Sequence, residues 1–156
     1  MSLQYELGLP NPISDTAHES IMNIVLTGEM IAKEGQRIFR PLKLTDSQFN
    51  VLIILKHQAD AQGITQTELG NRLLVNRSNV TGLVDRMEEA GWVKRTPVAG
   101  DRRINQIQIT KAGCAILEKA EKTYYERINE VMSTLSDKEM KSICSLMGKI
   151  RKRIRD

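Results

Sequence analysis

Aromatic side chains are scarce, at 4% of the 156 residues. A platform for stacking single-stranded nucleic acid needs several exposed rings, so that class of binding surface is excluded. Only two cysteines are present, Cys114 and Cys144, and they do not form a CxxC pair. A reduced, intracellular chain is the simpler reading, and a cytoplasmic location is expected. His18 and His57 share no ligand spacing with each other or with the cysteines, so no metal site is expected. No apolar run approaches the roughly 18–20 residues of a membrane span. The N-terminus also lacks a basic segment followed by an apolar one. There is no glycine-rich phosphate loop, no GxSxG and no HExxH. Catalytic residues, cofactors and membrane partners are accordingly expected to be absent.

What is present is an ordinary soluble composition, 40% hydrophobic and 27% charged, with an uneven distribution of charge. Residues 1–62 carry 5 basic and 7 acidic side chains, residues 63–113 carry 8 and 5, and residues 114–156 carry 10 and 7. An acidic front followed by a basic middle suits a polyanion partner at the middle. A solvated basic face fits the same counts.

The segments then follow in order. Residues 4–12 hold two prolines and no periodicity, which predicts an irregular arm. From Ser14, apolar residues at Ala17, Ile21, Ile24, Val25, Gly28, Ile31 and Ala32 follow the helical period to about Phe39, before Pro41. Thr45-Asp46-Ser47-Gln48 forms a capping box ahead of a helix apolar nearly all round, which is expected to be central. Thr65-Gln66-Thr67-Glu68 opens a short helix in the same way. A second helix, Asn76 to Ala90, ends at Gly91, the residue type expected in a left-handed C′ position. Two β-branched runs flank a turn with Pro97, Gly100, Asp101, Arg102 and Arg103. Thr110 caps a helix running to about Thr134, and Ser136 to Glu139 is a third capping box, before a stripe of Met140, Ile143, Leu146, Met147, Ile150 and Ile154. The fold class is mainly α with a small β-wing of two or three strands: a winged helix-turn-helix with six helices in all. Three parts are expected: residues 1–40 (arm and first helix), 41–112 (winged helix) and 113–156 (terminal helices). The long helices at the two ends need cover for their apolar stripes, in a self-contained bundle or in a homodimer that reads two half-sites.

On the helix after Asn76, Val80, Leu83, Val84 and Met87 form the buried face. The other side carries Ser78, Gly82, Asp85 and Glu89, flanked by Thr81 and Arg86, with Arg77 near its start. Short polar residues and a guanidinium in the first turns suit base edges in a major groove, which marks Arg77, Ser78, Asn79, Thr81, Gly82 and Arg86 as candidate DNA contacts. Thr65 and Gln66, at the start of the preceding helix, are also candidates. Asn76 serves either as a cap or as a base contact. Asp85 is out of place on such a face unless a cation accompanies it. Arg102 and Arg103 can enter a minor groove or remain solvated turn residues, with Asp101 fixing the turn through its carboxylate.

The run LVDRMEEAGWVKRTPVAGDRRINQIQITKAG resembles the MarR family of bacterial transcription regulators, through Asp101 and Arg103 of the wing and through Ile109, Thr110 and Gly113 where the strand meets the helix. The likeness extends over nearly the whole chain, to Thr45–Leu55 and to the terminal helices, which build a dimerisation domain in that family. It implies a homodimeric repressor that binds pseudo-palindromic double-stranded DNA. The recognition helix would lie in the major groove and the wing in the minor groove, with a small aromatic or amphipathic effector as modulator. It also implies that Arg103 reaches the minor groove and that Asp85 pairs with Arg103 and orients it. No motif identifies the effector-binding residues. The family's peroxide-sensing branch has a reactive cysteine near its N-terminus, and none precedes Cys114 here. Cys114 at a helix start is either a buried, inert group or a thiol of lowered pKa. The competing reading is a winged-helix protein-interaction module without sequence-specific DNA binding.

Overall fold

The computed structural model describes residues 3–59, 62–73, 80–98 and 101–156, except for the side chains of 101–104. The described chain groups into two compact units, residues 1–117 and 118–156.

In the first unit, a single helical turn, α1 (Leu3–Glu6), replaces the irregular arm expected from sequence, and its Leu3 is buried. One turn is too short to carry a periodicity, and it is the burial of Leu3 that marks this segment. Helix α2 (Thr16–Phe39) starts two residues later than the apolar pattern suggests. The Asp15 carboxylate caps it, accepting from the Ala17 N–H at 2.7 Å and the His18 N–H at 3.2 Å. A 3₁₀ turn, Arg40–Leu42, carries Pro41 and closes the helix with Lys43 in the left-handed region.

Helix α3 (Asp46–His57) is central, as its composition predicts. Phe49, Val51, Leu52, Ile54 and Leu55 are buried, and the helix meets α2 and three further elements: α4 (Gln66–Arg72), α5 (Val80–Glu89) and strand β3 (Asp101–Ile109). Its Thr45–Gln48 capping box closes in both directions, and the Phe49 ring stacks on Phe39 with centroids 4.5 Å apart.

The sheet has three strands in the order β1-β3-β2, all antiparallel, with β1 Ile64–Thr65 and β2 Val93–Val98. The extra strand β1 has only two residues, and Gly63 precedes it at φ +89°. A Cβ at Gly63 would run into the Ile107 carbonyl of β3, so this approach requires glycine. The fold is thus mainly helical with a small three-stranded wing.

In the second unit, helix α7 (Asp137–Arg155) begins at Ser136 with a complete capping box. No residue of α7 is buried, and Ile143, Leu146 and Ile154 are 43%, 53% and 77% exposed. Helix α6 spans Lys111–Met132.

Candidate nucleic-acid interface

The helix pair α4 and α5 is assembled by local chemistry at each end. Thr65 is the N-cap of α4, where its hydroxyl accepts from the Glu68 N–H, while the Glu68 carboxylate accepts from the Thr65 N–H at 2.8 Å and from the hydroxyl at 2.8 Å. The hydroxyl is therefore engaged in both directions. These bonds, the backbone one first, hold the Glu68 carboxyl below its ordinary pKa. A carboxyl with a depressed folded pKa contributes stability that is complete above the unfolded value and disappears as pH falls through the folded one. Glu68→Gln is expected to remove part of the acid sensitivity of thermal unfolding below about pH 4.3, measured by melts across that range. An unchanged acid limb would contradict the box. At the other end of α4, Arg72 Nη1 donates to the Gln58 carbonyl at 2.5 Å, tying α4 to the C-cap of α3.

Helix α5 buries Val80, Leu83, Val84 and Met87, the face expected from the spacing. Its end is a Schellman motif. Gly91 lies at φ +72°, the Gly91 N–H reaches the Glu88 carbonyl at 2.9 Å and the Trp92 N–H reaches the Met87 carbonyl at 2.9 Å. Thr110, at the far end of β3, locks this corner. Its hydroxyl donates to the Gly91 carbonyl at 2.6 Å, with the Trp92 carbonyl at 3.1 Å, and accepts from the Gly113 N–H at 3.0 Å. The Thr110-x-x-Gly113 spacing thus joins the end of α5, the root of the wing and the start of α6.

Among the candidate contacts, Thr81, Arg86 and Asp85 are exposed on α5 and Gly82 is partly covered. Gln66 reaches across from the first residue of α4, donating from Nε2 to Thr81 Oγ1 at 2.5 Å. Two predicted contact residues on different helices therefore meet. Asn76, Arg77, Ser78 and Asn79 lie outside the described residues, as do the side chains of Asp101, Arg102 and Arg103. The backbone of residues 101–103 already belongs to β3, with Asp101 paired to Val98, so both arginines stand on a strand rather than at the turn where the sequence reading put them.

Among the described side chains, Asp85 is paired with Arg95. Arg95 Nη2 donates to Asp85 Oδ1 at 2.5 Å, and Nη1 donates to Glu88 Oε2 at 2.6 Å. The backbone N–H of Arg95 donates to the other oxygen of Glu88 at 2.8 Å. Partial burial opposes the charge on Arg95, but the hydrogen bonds to Asp85 and Glu88 and the attraction of both carboxylates outweigh it and raise its pKa. The pairing of Asp85 with Arg103 that the resemblance implies falls on a side chain outside the described residues, and Arg95 is not among the residues marked from sequence. The available signal was a guanidinium on the strand that follows α5, ten residues from Asp85.

Among the described residues no group of His, Cys, Asp or Glu could hold a metal ion, and no helix is long and apolar enough to cross a membrane. Cys114 is partly covered and Cys144 is exposed.

Residues 42–104 match the model of the MarR family. The chain is 30% identical to the HTH-type transcriptional regulator PecS of Dickeya dadantii over 125 residues, 80% of this chain and 75% of that protein. It is similar to wild-type MarR from E. coli, with 26% identity and a TM-score of 0.67 over 89% of this chain and 98% of that one. In fold it is also similar to Sco3205, a MarR family transcriptional regulator from Streptomyces coelicolor solved in complex with DNA. There the TM-score is 0.81 at 20% identity, over 94% of each chain.

Proposed function

Because the chain belongs to the MarR family of transcription regulators, we propose that it is a homodimeric repressor that reads a pseudo-palindromic DNA duplex. The segment from Arg77 into the first turns of α5 enters the major groove. There Arg77, Ser78, Asn79, Thr81, Gly82 and Arg86 meet bases and phosphates, and Gln66 supports them through Thr81. Arg102 and Arg103 of the wing enter the adjacent minor groove, where the negative potential favours guanidinium. Thr65 holds the start of α4 in place, and Asp101 shapes the wing. The protein acts in the cytoplasm, where its DNA is.

The observation that supports this reading is the joining of α4, α5 and the wing by polar contacts: Gln66 to Thr81, and Arg95 to Asp85 and Glu88. The dimer is supported by apolar surface that a single chain leaves open. On α2, Ile21, Val25, Met30 and Ile31 are 51–60% exposed, and α7 buries nothing. Pairing of residues 1–40 and 113–156 with a second copy would cover those stripes and set the spacing between the two reading heads. A small aromatic or amphipathic effector would release or retune DNA by binding one spacing better than the other.

Two measurements test the proposal. Selection from random duplexes is expected to return an inverted repeat with half-site centres about 34 Å apart. Recovery of single, unrepeated sites would contradict the dimeric reader. Sedimentation equilibrium at micromolar concentration is expected to show twice the 17.7 kDa chain mass, and a purely monomeric species would remove the half-site argument.

A further inference from the structure

Asp85 and Glu88 place two carboxylates on the exposed side of the helix that is to approach a polyanion, and Arg95 is bonded to both. The geometry is more than charge neutralisation. Strand β2 is an edge of the sheet, and the Arg95 N–H is satisfied by Glu88. One carboxylate of α5 therefore closes part of a strand edge. The guanidinium then spans two carboxylates one helical turn apart, through two different nitrogens. A lone surface ion pair constrains little, but three bonds from a backbone N–H and a rigid fork restrict both sliding and rotation of α5 against β2.

We propose that Arg95 is a positioning residue for DNA reading: acting through Asp85 and Glu88, it makes the recognition helix and the wing one rigid reading head. This role rests on the DNA-reading function proposed above. It assigns Asp85 a second task besides any contact with Arg103, namely to anchor the helix to the wing strand. With helix and wing held together, the major-groove and minor-groove contacts are made at one fixed offset, and the ordering cost of bringing the wing into register is already met before binding.

The test uses the full-length protein and a duplex that the wild type recovers from a random-sequence pool. Arg95→Met is expected to weaken binding about tenfold, equivalent to about 1.4 kcal/mol. The dependence of log affinity on log salt should keep its slope, and the dimer and the melting midpoint should stay near wild type. Arg95→Lys keeps the charge but not the fork and is expected to recover part of the loss. The double variant Arg95→Met, Glu88→Gln leaves this cluster with the net charge of the wild type and is expected to remain weak, because it restores the charge balance without the bonds.

Wild-type affinity in the double variant would overturn positioning in favour of simple neutralisation. A slope reduced by about one in Arg95→Met, with full recovery in Arg95→Lys, would make Arg95 a direct phosphate contact and also overturn it. If Arg95→Met does not fold, Arg95→Lys decides alone: a severalfold loss supports positioning, and full affinity overturns it. Failure of the wild type to retain any duplex defeats the DNA reading itself. Normal wild-type binding with an unaffected Arg95→Met defeats only the positioning role.

Discussion

Gly113→Ala is expected to destabilise the fold by about 3 kcal/mol, lowering the melting midpoint by roughly 10 °C. A Cβ at this position would collide with the Trp92 carbonyl oxygen and crowd the Ile109 side chain. The first of these is backbone, fixed by the Schellman motif at the end of α5 and by the Thr110 N–H, which donates to the same carbonyl at 3.0 Å. Relief therefore requires α6 to move away from the root of the wing, which breaks the Gly113 N–H bond to Thr110. Gly91→Ala is the informative comparison. Nothing lies within 4 Å of a Cβ there, so its penalty is only the left-handed backbone at φ +72°, about 1–2 kcal/mol. Thermal or urea unfolding of both variants checks the ranking, and equal losses would mean that the Thr110–Gly113 corner is not packed as described.

Arg103→Ala should leave the fold alone and damage binding. Asp85 is already bonded to Arg95, so removing Arg103 strands no carboxylate on α5. The melting midpoint and the dimer should therefore stay at wild-type values. Duplex affinity should fall by about 1–3 kcal/mol, and the salt slope should decrease by about one, as for loss of a guanidinium in a groove. Titration of a labelled duplex at several salt concentrations measures both. Unchanged affinity would remove Arg103 from the interface and leave the wing without its expected minor-groove contact.

The two variants also show which parts of the molecule could be read in advance. Helix starts were legible wherever they depend on neighbours in sequence. The capping boxes at Thr45, Thr65 and Ser136 all close, because each needs only residues three apart. Gly91 was legible for the same reason, since a left-handed C′ residue follows from its own helix end. The central place of α3 followed from its all-round apolar character.

What escaped was decided by contacts distant in sequence. The one-turn helix α1 exists with a single buried leucine, which no periodicity can announce. Strand β1 has two residues and is recognisable only from its pairing, Ile64 with Ile107 and Thr65 with Gln106. The pairing of Gln66 with Thr81 joins two helices across fifteen positions. Arg95 belongs with these cases. The meeting of Arg95 with Asp85 depends on how β2 lies against α5, which no spacing within either element announces.

On the proposed function, two copies of this chain hold one DNA duplex through paired reading heads. The most direct measurement is the mass of the complex formed with a selected inverted-repeat duplex, taken with its affinity across a salt series. The prediction is two chains per duplex, with log affinity falling linearly as log salt rises. One chain per duplex, or no salt-dependent complex at any concentration, would contradict it.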